Sequence, residues 1–155
     1  MSVIDNEGSA FNPEQIFEKM RQMDGAEKVR LPPRSHEFVE GEFVNYAEGQ
    51  SLTLSFPLYE KYNNPVSIVL GGFIPLFFDS TMGPFSYLVA KKPTTSLDLN
   101  TTFLRPAMAA DKEIMVTASL INLSKSYVLL EGKALNPQKK LVATATSRMK
   151  IIHAP

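Results

Sequence analysis

Cysteine is the amino acid whose absence says most about this chain of 155 residues. Without a thiol, the chain cannot form a disulfide, attack a substrate through a thiolate or bind a metal through cysteine. An excess of charge is lacking as well, because 16 lysine and arginine residues balance 16 aspartate and glutamate residues. The balanced charge creates no overall field toward an anionic partner, so we expect no nucleic acid to be bound.

A secretory signal is also lacking, since the first seven residues carry acidic side chains and no basic segment followed by an apolar core. We therefore expect a cytoplasmic protein. One apolar run, at residues 68–90, is long enough to be tested as a transmembrane span. It contains Asp79, three glycines and two prolines, and it lacks flanking charge asymmetry. We predict instead a helix buried by a sheet and a partner subunit, with no membrane span.

The length of the chain fits a single folded domain that buries about two thirds of its unfolded surface. Residues 1–34 are predicted to form an N-terminal extension with a short helix. Asn12 is suited to cap this helix, and Gly25 follows its expected end near Asp24. Residues 35–155 are predicted to form the main domain. We assign no chemistry to the extension.

Hydrophobic patterning predicts six strands and one central helix in the main domain. A hairpin is expected first, with its strands at residues 36–46 and 51–56. The helix is expected over residues 72–91, and Gly83 with Pro84 should kink or divide it. Four more strands are predicted near residues 97–103, 114–120, 128–134 and 141–151.

Alternation in the third strand predicts which side chains share a face of the sheet. Leu97 and Leu99 fall on one face, whereas Ser96 and Asp98 fall on the other. An apolar helix inserted after the second strand of an antiparallel sheet predicts an α+β fold, in which the sheet wraps around the helix.

Asp79 is the first candidate for chemistry, because it is the only acidic or basic residue between positions 68 and 90. A lone carboxylate in so apolar a run is costly unless a partner satisfies it or a reaction uses it. The alternative is a packing role, in which Asp79 accepts a hydrogen bond from a neighbouring hydroxyl group.

Gly71 and Gly72 are predicted to form the entrance of the central helix. Bare backbone at a helix entrance leaves amide hydrogens free, and the helix dipole adds partial positive charge. A carbonyl oxygen that gains negative charge would be stabilised there, as in acyl transfer. Gly72 and Asp79 are seven residues apart, about 10 Å along a helix axis, so one carbonyl can hardly touch both. We therefore expect the two to act together only across a two-fold axis, in a homodimer.

These residues resemble the signature of a known family. Asn64, Gly71, Gly72 and Asp79 stand at the spacing of Asn-(x)n-His-Gly-Gly-(x)6-Asp, which is typical of the hotdog-fold acyl-CoA thioesterases of the phenylacetate-pathway type. The resemblance extends over roughly residues 46–152. It includes a downstream strand that ends in Phe103-Leu104-Arg105-Pro106. The motif histidine is replaced by Leu70.

The resemblance implies a hotdog fold and hydrolysis of the thioester of a small or medium acyl-CoA, with no metal or redox cofactor. It also implies a homodimer or a dimer of dimers. Asp79 would be the nucleophile or the general base, and the Gly72 amide would polarise the carbonyl. Asn64 of the facing subunit would hold the carbonyl or the water. Ser96 corresponds to a hydroxyl near the carboxylate, although Thr95 is close enough to compete.

The substrate-binding residues implied by the resemblance are Leu70 and Gly71 at the thioester, and Arg105 and Lys125 at the phosphates of coenzyme A. Leu70 can neither donate nor accept a hydrogen bond, unlike the histidine it replaces. Two hypotheses therefore remain open. One is an acyl-CoA thioesterase, and the other is a protein that binds acyl-CoA or an acyl carrier without hydrolysing it.

Overall fold

The computed structural model describes residues 3–4, 10–12 and 14–153. Within these residues it contains three α-helices and eight β-strands. The helices are α1 (Glu14–Arg21), α2 (Arg34–Val39) and α3 (Phe73–Ala90). The strands are β1 (Val3–Ile4), β2 (Ala10–Phe11), β3 (Glu42–Ala47), β4 (Ser51–Pro57), β5 (Thr94–Phe103), β6 (Glu113–Leu123), β7 (Tyr127–Leu135) and β8 (Leu141–Ile151).

All eight strands belong to one sheet, in the order β2-β1-β3-β4-β6-β7-β8-β5. Strands β3 to β8 pair antiparallel throughout, and β1 joins β3 in parallel through Ile4 and Asn45. Helix α3 packs against β4, β5, β6, β7 and β8, so the sheet curves around it. The predicted α+β arrangement of six antiparallel strands around one apolar helix is confirmed.

Aromatic side chains fix α3 against the sheet. Phe77 and Phe78 are buried, and the Phe77 ring stacks on Phe56 of β4 with 4.7 Å between centroids. Burying each such ring stabilises the fold by roughly 1.5–3 kcal/mol. The helix comes so close to β7 that a β-carbon at Gly132 would lie 2.7 Å from atoms of Met82 and Phe78. Glycine at this strand position therefore permits the close approach of helix and sheet.

The predicted extent of α3 is confirmed, because Gly72 and Lys91 flank the helix at its two ends. The alternative of a helix divided at Pro84 is wrong, since α3 continues through this residue. Pro84 itself is buried, and Met82 and Phe85 beside it are fully buried. Their packing outweighs the roughly 3 kcal/mol that a proline costs inside a helix. Within the part of the chain described, no helix is both long enough and apolar enough to cross a membrane.

The predicted first strand is partly wrong. Residues 34–39 form α2, and β3 begins only at Glu42. The His36 ring stacks on Phe43 at 5.2 Å and meets Phe17 edge-on at 5.0 Å. These contacts hold α2 against α1 and β3 instead of in the sheet. Of the apolar residues in this stretch, Val39 is buried and Phe38 is exposed, so the short helix packs through His36 and Val39.

The predicted N-terminal helix is confirmed as α1. The Asn12 side-chain oxygen accepts a hydrogen bond of 3.1 Å from the backbone amide of Glu14. Ile16 and Met20 are buried, so the helix packs on the domain through its apolar side. It ends at Arg21, three residues before the predicted stop at Asp24.

Candidate active site

Asp79 lies on the side of α3 that faces away from the core, and its side chain is exposed. One of its carboxylate oxygens accepts a hydrogen bond of 2.7 Å from the hydroxyl of Ser96 on β5. No lysine, arginine or histidine of the described residues forms an ion pair with Asp79. The second carboxylate oxygen therefore remains open to the cavity beside the helix.

A β-bulge in β5 turns Ser96 toward Asp79. The pairing of β5 with β8 shifts register between Ser96 and Asp98, so that Leu97 is an extra residue in the strand. The predicted alternation, which placed Ser96 on the face opposite Leu99, is therefore wrong. One inserted residue reverses which face the preceding side chain occupies. Ser96 instead pairs with the buried Met149 and faces the helix.

Asp98, on the other side of this bulge, shows the contrasting environment on the outer face of the sheet. Its carboxylate accepts hydrogen bonds from the side chain of Arg148 at 2.6 Å and from the backbone amide of Arg148 at 3.0 Å. These hydrogen bonds lower the pKa of the Asp98 carboxyl. Asp98 is thus a surface carboxylate paired with Arg148, whereas Asp79 accepts a hydrogen bond only from the Ser96 hydroxyl among the described residues.

The entrance of α3 presents two unused backbone amides. Leu70 donates its amide hydrogen to the Tyr62 carbonyl, and Phe73 donates to the Leu70 carbonyl. The amides of Gly71 and Gly72 between them donate to no acceptor in the described part of the chain. Two adjacent donors at a helix N-terminus form a site where an oxygen with developing negative charge is stabilised.

Among the described residues, none comes so close that glycine is required at this entrance. Gly72 has right-handed helical angles, with φ −64° and ψ −22°, and a β-carbon there would meet no atom within 4 Å. A β-carbon at Gly71 would lie 3.5 Å from the Phe103 ring, which is an ordinary contact. The space beside Gly72 is therefore available to a ligand or to another subunit.

Asn64 uses its side-chain oxygen to shape the loop before the helix. This oxygen accepts hydrogen bonds from the amides of Val66 and Ile68, at 3.0 and 3.1 Å. Asn64 thus forms a turn in this loop, as asparagine commonly does. The side-chain NH₂ group has no acceptor among the described residues, so Asn64 can still act as a donor.

The candidate residues fall into two separate places on one chain. Asp79 and Ser96 line a cavity of about 310 Å³, which we call the carboxylate cavity. Asn64, Gly71 and Arg105 line a groove of about 340 Å³, which we call the entrance groove. The two spaces have no lining residue in common. A single chain therefore separates the carboxylate from the amide donors, as their spacing along the helix predicts.

The remaining predicted residues lie on the surface. Arg105 is exposed at the entrance groove and donates a hydrogen bond of 2.7 Å to the Leu141 carbonyl. Lys125 is exposed in the turn between β6 and β7, and it lines neither space. Leu70 is 52 % exposed immediately before the two unused amides. An exposed leucine at this point makes the approach to the amides apolar.

Sequence reasoning missed one wall of the carboxylate cavity. Met20, Val29 and Leu31 of the N-terminal extension line it, together with His36 of α2. These residues belong to no recognisable motif, so the only signal in the sequence is that most of them are apolar, which indicates burial against the domain. Among the described residues, no cluster of three or more histidine, aspartate or glutamate side chains could hold a metal ion.

His36 carries a ring nitrogen, Nδ1, that is buried without a hydrogen-bond partner in the described part of the chain. Burial lowers the pKa of His36, and the nearby Glu37 carboxylate opposes this shift. The folded protein thus favours the neutral imidazole. Its contribution to stability is present above the unfolded pKa of about 6.5 and is lost as the pH falls through the lowered folded value.

We predict that acid destabilises the protein partly through His36. The melting temperature should fall by a few degrees between pH 7.5 and 5.5, and the His36→Phe variant should lose part of this dependence. Thermal unfolding followed by circular dichroism at several pH values measures it. His153→Gln is the matched control, because His153 is the other histidine and is exposed. An identical pH slope in wild type and His36→Phe would contradict the prediction.

Comparison with known proteins gives the same fold and a family match. Residues 67–143 match the model of the family described as Thioesterase superfamily. No curated protein matches the chain. The hotdog fold that the resemblance implies is confirmed by solved structures with the same fold.

Three of these structures illustrate the similarity. The PaaI protein of the Escherichia coli phenylacetic acid degradation operon is 16 % identical, with a TM-score of 0.75 over 90 % of this chain and 97 % of its own. A phenylacetic acid degradation-related protein of Ralstonia eutropha is 23 % identical, with a TM-score of 0.69 over 86 % of this chain and 98 % of its own. The smu.793 protein of Streptococcus mutans, bound to acetyl CoA, is 15 % identical, with a TM-score of 0.68 over 83 % and 97 %.

Proposed function

We propose that this chain, which belongs to the thioesterase superfamily, hydrolyses the thioester of a small or medium acyl-CoA at a site shared between two subunits. The observation that carries the proposal is the separation of two half-sites. Asp79 with Ser96 lies in the carboxylate cavity, and the unused amides of Gly71 and Gly72 lie at the helix entrance. Catalysed hydrolysis of a thioester uses a base or nucleophile together with oxyanion donors around one carbonyl, and each half-site offers only one of the two.

In the proposed reaction, a water molecule adds to the thioester carbonyl carbon and the carbon–sulfur bond breaks. The products are a carboxylic acid and the free thiol of coenzyme A. Asp79 would take the proton from the water as general base, or would attack the carbonyl itself and form an anhydride that water then opens. The Ser96 hydroxyl holds one carboxylate oxygen, so the other oxygen is the one directed at the substrate.

The facing subunit would supply the second half-site. The Gly72 amide, with Gly71 beside it, would donate to the carbonyl oxygen as negative charge develops there. The free NH₂ group of Asn64 would hold the same oxygen or the attacking water. Because the Asn64 oxygen is already engaged with two backbone amides, the side chain is fixed before substrate arrives.

Strand β5 supports the proposed dimer. It is an edge strand of ten residues, paired only with β8 among the described residues, and it exposes Leu97 and Phe103. An exposed edge is a template for another strand, and an isologous contact places the same edge of two copies together. Pairing β5 with its copy would extend the sheet across the two-fold axis and bring the two α3 helices side by side. A dimer of dimers would bury further surface.

Coenzyme A would contribute phosphates to the substrate. Arg105 at the entrance groove and Lys125 in the β6–β7 turn are the cations we assign to them. The acetyl CoA bound to the Streptococcus mutans protein supports a ligand of this class. The enzyme would work with no metal or redox cofactor.

The exposed Leu70 favours a second candidate function, a protein that binds acyl-CoA or an acyl carrier without hydrolysis. Leucine at this position supplies no polar contact beside the thioester. Saturable binding of acyl-CoA without release of thiol would favour this function. Thiol release from a panel of acyl-CoA substrates by the wild-type protein would favour the thioesterase.

We predict that Gly72→Pro lowers kcat for acyl-CoA hydrolysis by about 10²–10³, which is the usual loss for one oxyanion donor. Proline fits the φ angle of −64° and removes the amide hydrogen, which donates to no acceptor in the described chain. Gly72→Ala is the matched control, because it keeps the amide and adds a β-carbon where no atom lies within 4 Å. Thiol release measures both variants, and equal rates for the two would contradict the assigned donor.

A further inference from the structure

The carboxylate cavity continues well beyond the reacting groups. Leu76, Gly83 and Tyr87 line it at intervals that place them on the same side of α3 as Asp79. Tyr87 lies eight residues after Asp79, which is about 12 Å along the helix axis. A volume of about 310 Å³ equals that of roughly ten water molecules. An acetyl group would therefore leave most of the cavity empty.

The N-terminal extension forms a fixed wall of this cavity. Met20 of α1 is buried in the core, and Val29 and Leu31 pack against the core. The Arg21 guanidinium donates a hydrogen bond of 3.0 Å to the Leu31 carbonyl and ties this segment to α1. All of these residues lie outside residues 67–143, which match the family. The wall is therefore built by residues outside the matched family segment.

The charge in the cavity restricts what it can hold. Asp79 and His36 are the only acidic or basic side chains among the described residues that line it. Burial lowers the pKa of His36, so its imidazole is neutral near pH 7. None of the described lining residues is a lysine or arginine that could pair with a carboxylate on the acyl group. Asp79 would repel such a carboxylate. An uncharged acyl group suits this cavity.

Gly83 leaves space one helical turn beyond Asp79. A β-carbon at Gly83 would meet no atom within 4 Å, so any larger side chain there would project into open space beside the cavity. Glycine also suits the position before Pro84, where a side chain crowds the proline ring. Gly83 thus avoids a steric clash with the Pro84 ring and leaves the cavity open.

We propose that the carboxylate cavity is an acyl chamber, and that Val29 and Leu31 of the N-terminal extension select uncharged acyl groups of medium length or with an aromatic ring. This inference rests on the proposed function, because the thioester at Asp79 places the acyl group in the chamber. Affinity should rise about fourfold for each methylene that is buried there. The extension then limits the length of the acyl group, while α3 and β5 supply the other walls of the chamber.

Binding of nonhydrolysable thioether analogues tests the chamber without requiring turnover. Calorimetry with the acetyl, octanoyl and phenylacetyl analogues of acyl-CoA should show the two larger ligands binding wild type at least about tenfold more tightly. Val29→Phe should weaken those two by about tenfold or more and leave the acetyl analogue within about twofold. Val44→Phe is the matched control, because Val44 is a half-buried valine that lines a different cavity.

Equal weakening of all three analogues by Val29→Phe, or no weakening at all, would overturn the chamber. Circular dichroism checks that the variant folds. If Val29→Phe does not fold, Leu31→Ala provides the test. Removing side-chain volume from the wall should strengthen binding of a dodecanoyl analogue relative to the octanoyl analogue. An unchanged ratio of the two affinities would overturn the proposal. Wild type that shows the expected binding order but releases no thiol would refute the proposed hydrolysis and leave the chamber standing.

Discussion

Replacing Asp79 by asparagine is expected to lower kcat for acyl-CoA hydrolysis by about 10²–10⁴, the range for loss of a positioned general base. Asparagine keeps the size of the side chain and an oxygen that can accept from the Ser96 hydroxyl. Only the negative charge and the basicity are removed. The thermal stability should change little, because the Asp79 side chain is exposed and forms no ion pair within the described residues.

Release of thiol from acyl-CoA substrates measures this prediction, with analogue binding as a second measurement. Asp98→Asn is the matched control, since Asp98 is held by Arg148 on the outer face of the sheet and faces away from the cavity. It should hydrolyse at the wild-type rate. Equal rates for wild type and Asp79→Asn would remove Asp79 from the mechanism, and binding that disappears with Asp79→Asn would indicate a structural role.

Heterodimers of two inactive variants are expected to recover activity if the site is shared between subunits. One copy carries Asp79→Asn and the other carries Gly72→Pro. In such a heterodimer, one composite site contains both lesions and the other contains neither, so about half of the wild-type activity per dimer should return. The gain over either homodimer should then be at least about fiftyfold, given the expected loss from each single lesion.

Two different affinity tags allow the heterodimer to be purified from co-expressed copies. Differently tagged copies that both carry Asp79→Asn serve as the control and should remain inactive. A site built within one chain gives the opposite result, because each subunit of the heterodimer would then hold one lesion. No recovery in a heterodimer of proven composition would therefore exclude the shared site.

The main elements of the fold are accessible from sequence because their signals are local and strong. The apolar run at residues 68–90 and its end at Lys91 define α3, and the alternation of Leu52, Leu54 and Phe56 defines β4. Residues 36–46 alternate only imperfectly, and a stretch as short as α2 carries no period that distinguishes helix from strand. Contacts of His36 with Phe17 and Phe43, distant in sequence, decide that case.

The site residues also differ in whether their positions can be predicted from nearby sequence or depend on contacts with distant segments. The spacing of Asn64, Gly72 and Asp79 is visible in the sequence, and so is the inference that one carbonyl can hardly touch both Gly72 and Asp79. The orientation of Ser96 is not visible, because the bulge at Leu97 depends on how β5 pairs with β8. The wall formed by Val29 also depends on packing between segments about fifty residues apart in sequence.

The edge of β5, which is unpaired among the described residues, affects how the newly synthesised chain avoids aggregation. Its ten residues contain neither proline nor lysine, which are two of the usual safeguards against unwanted strand pairing, and they expose Leu97 and Phe103. A folded copy that has not yet dimerised therefore exposes an edge strand that can pair with other chains. Rapid self-association would protect such a copy from aggregation, so expression level and solubility are tied to the same strand that would complete the catalytic centre.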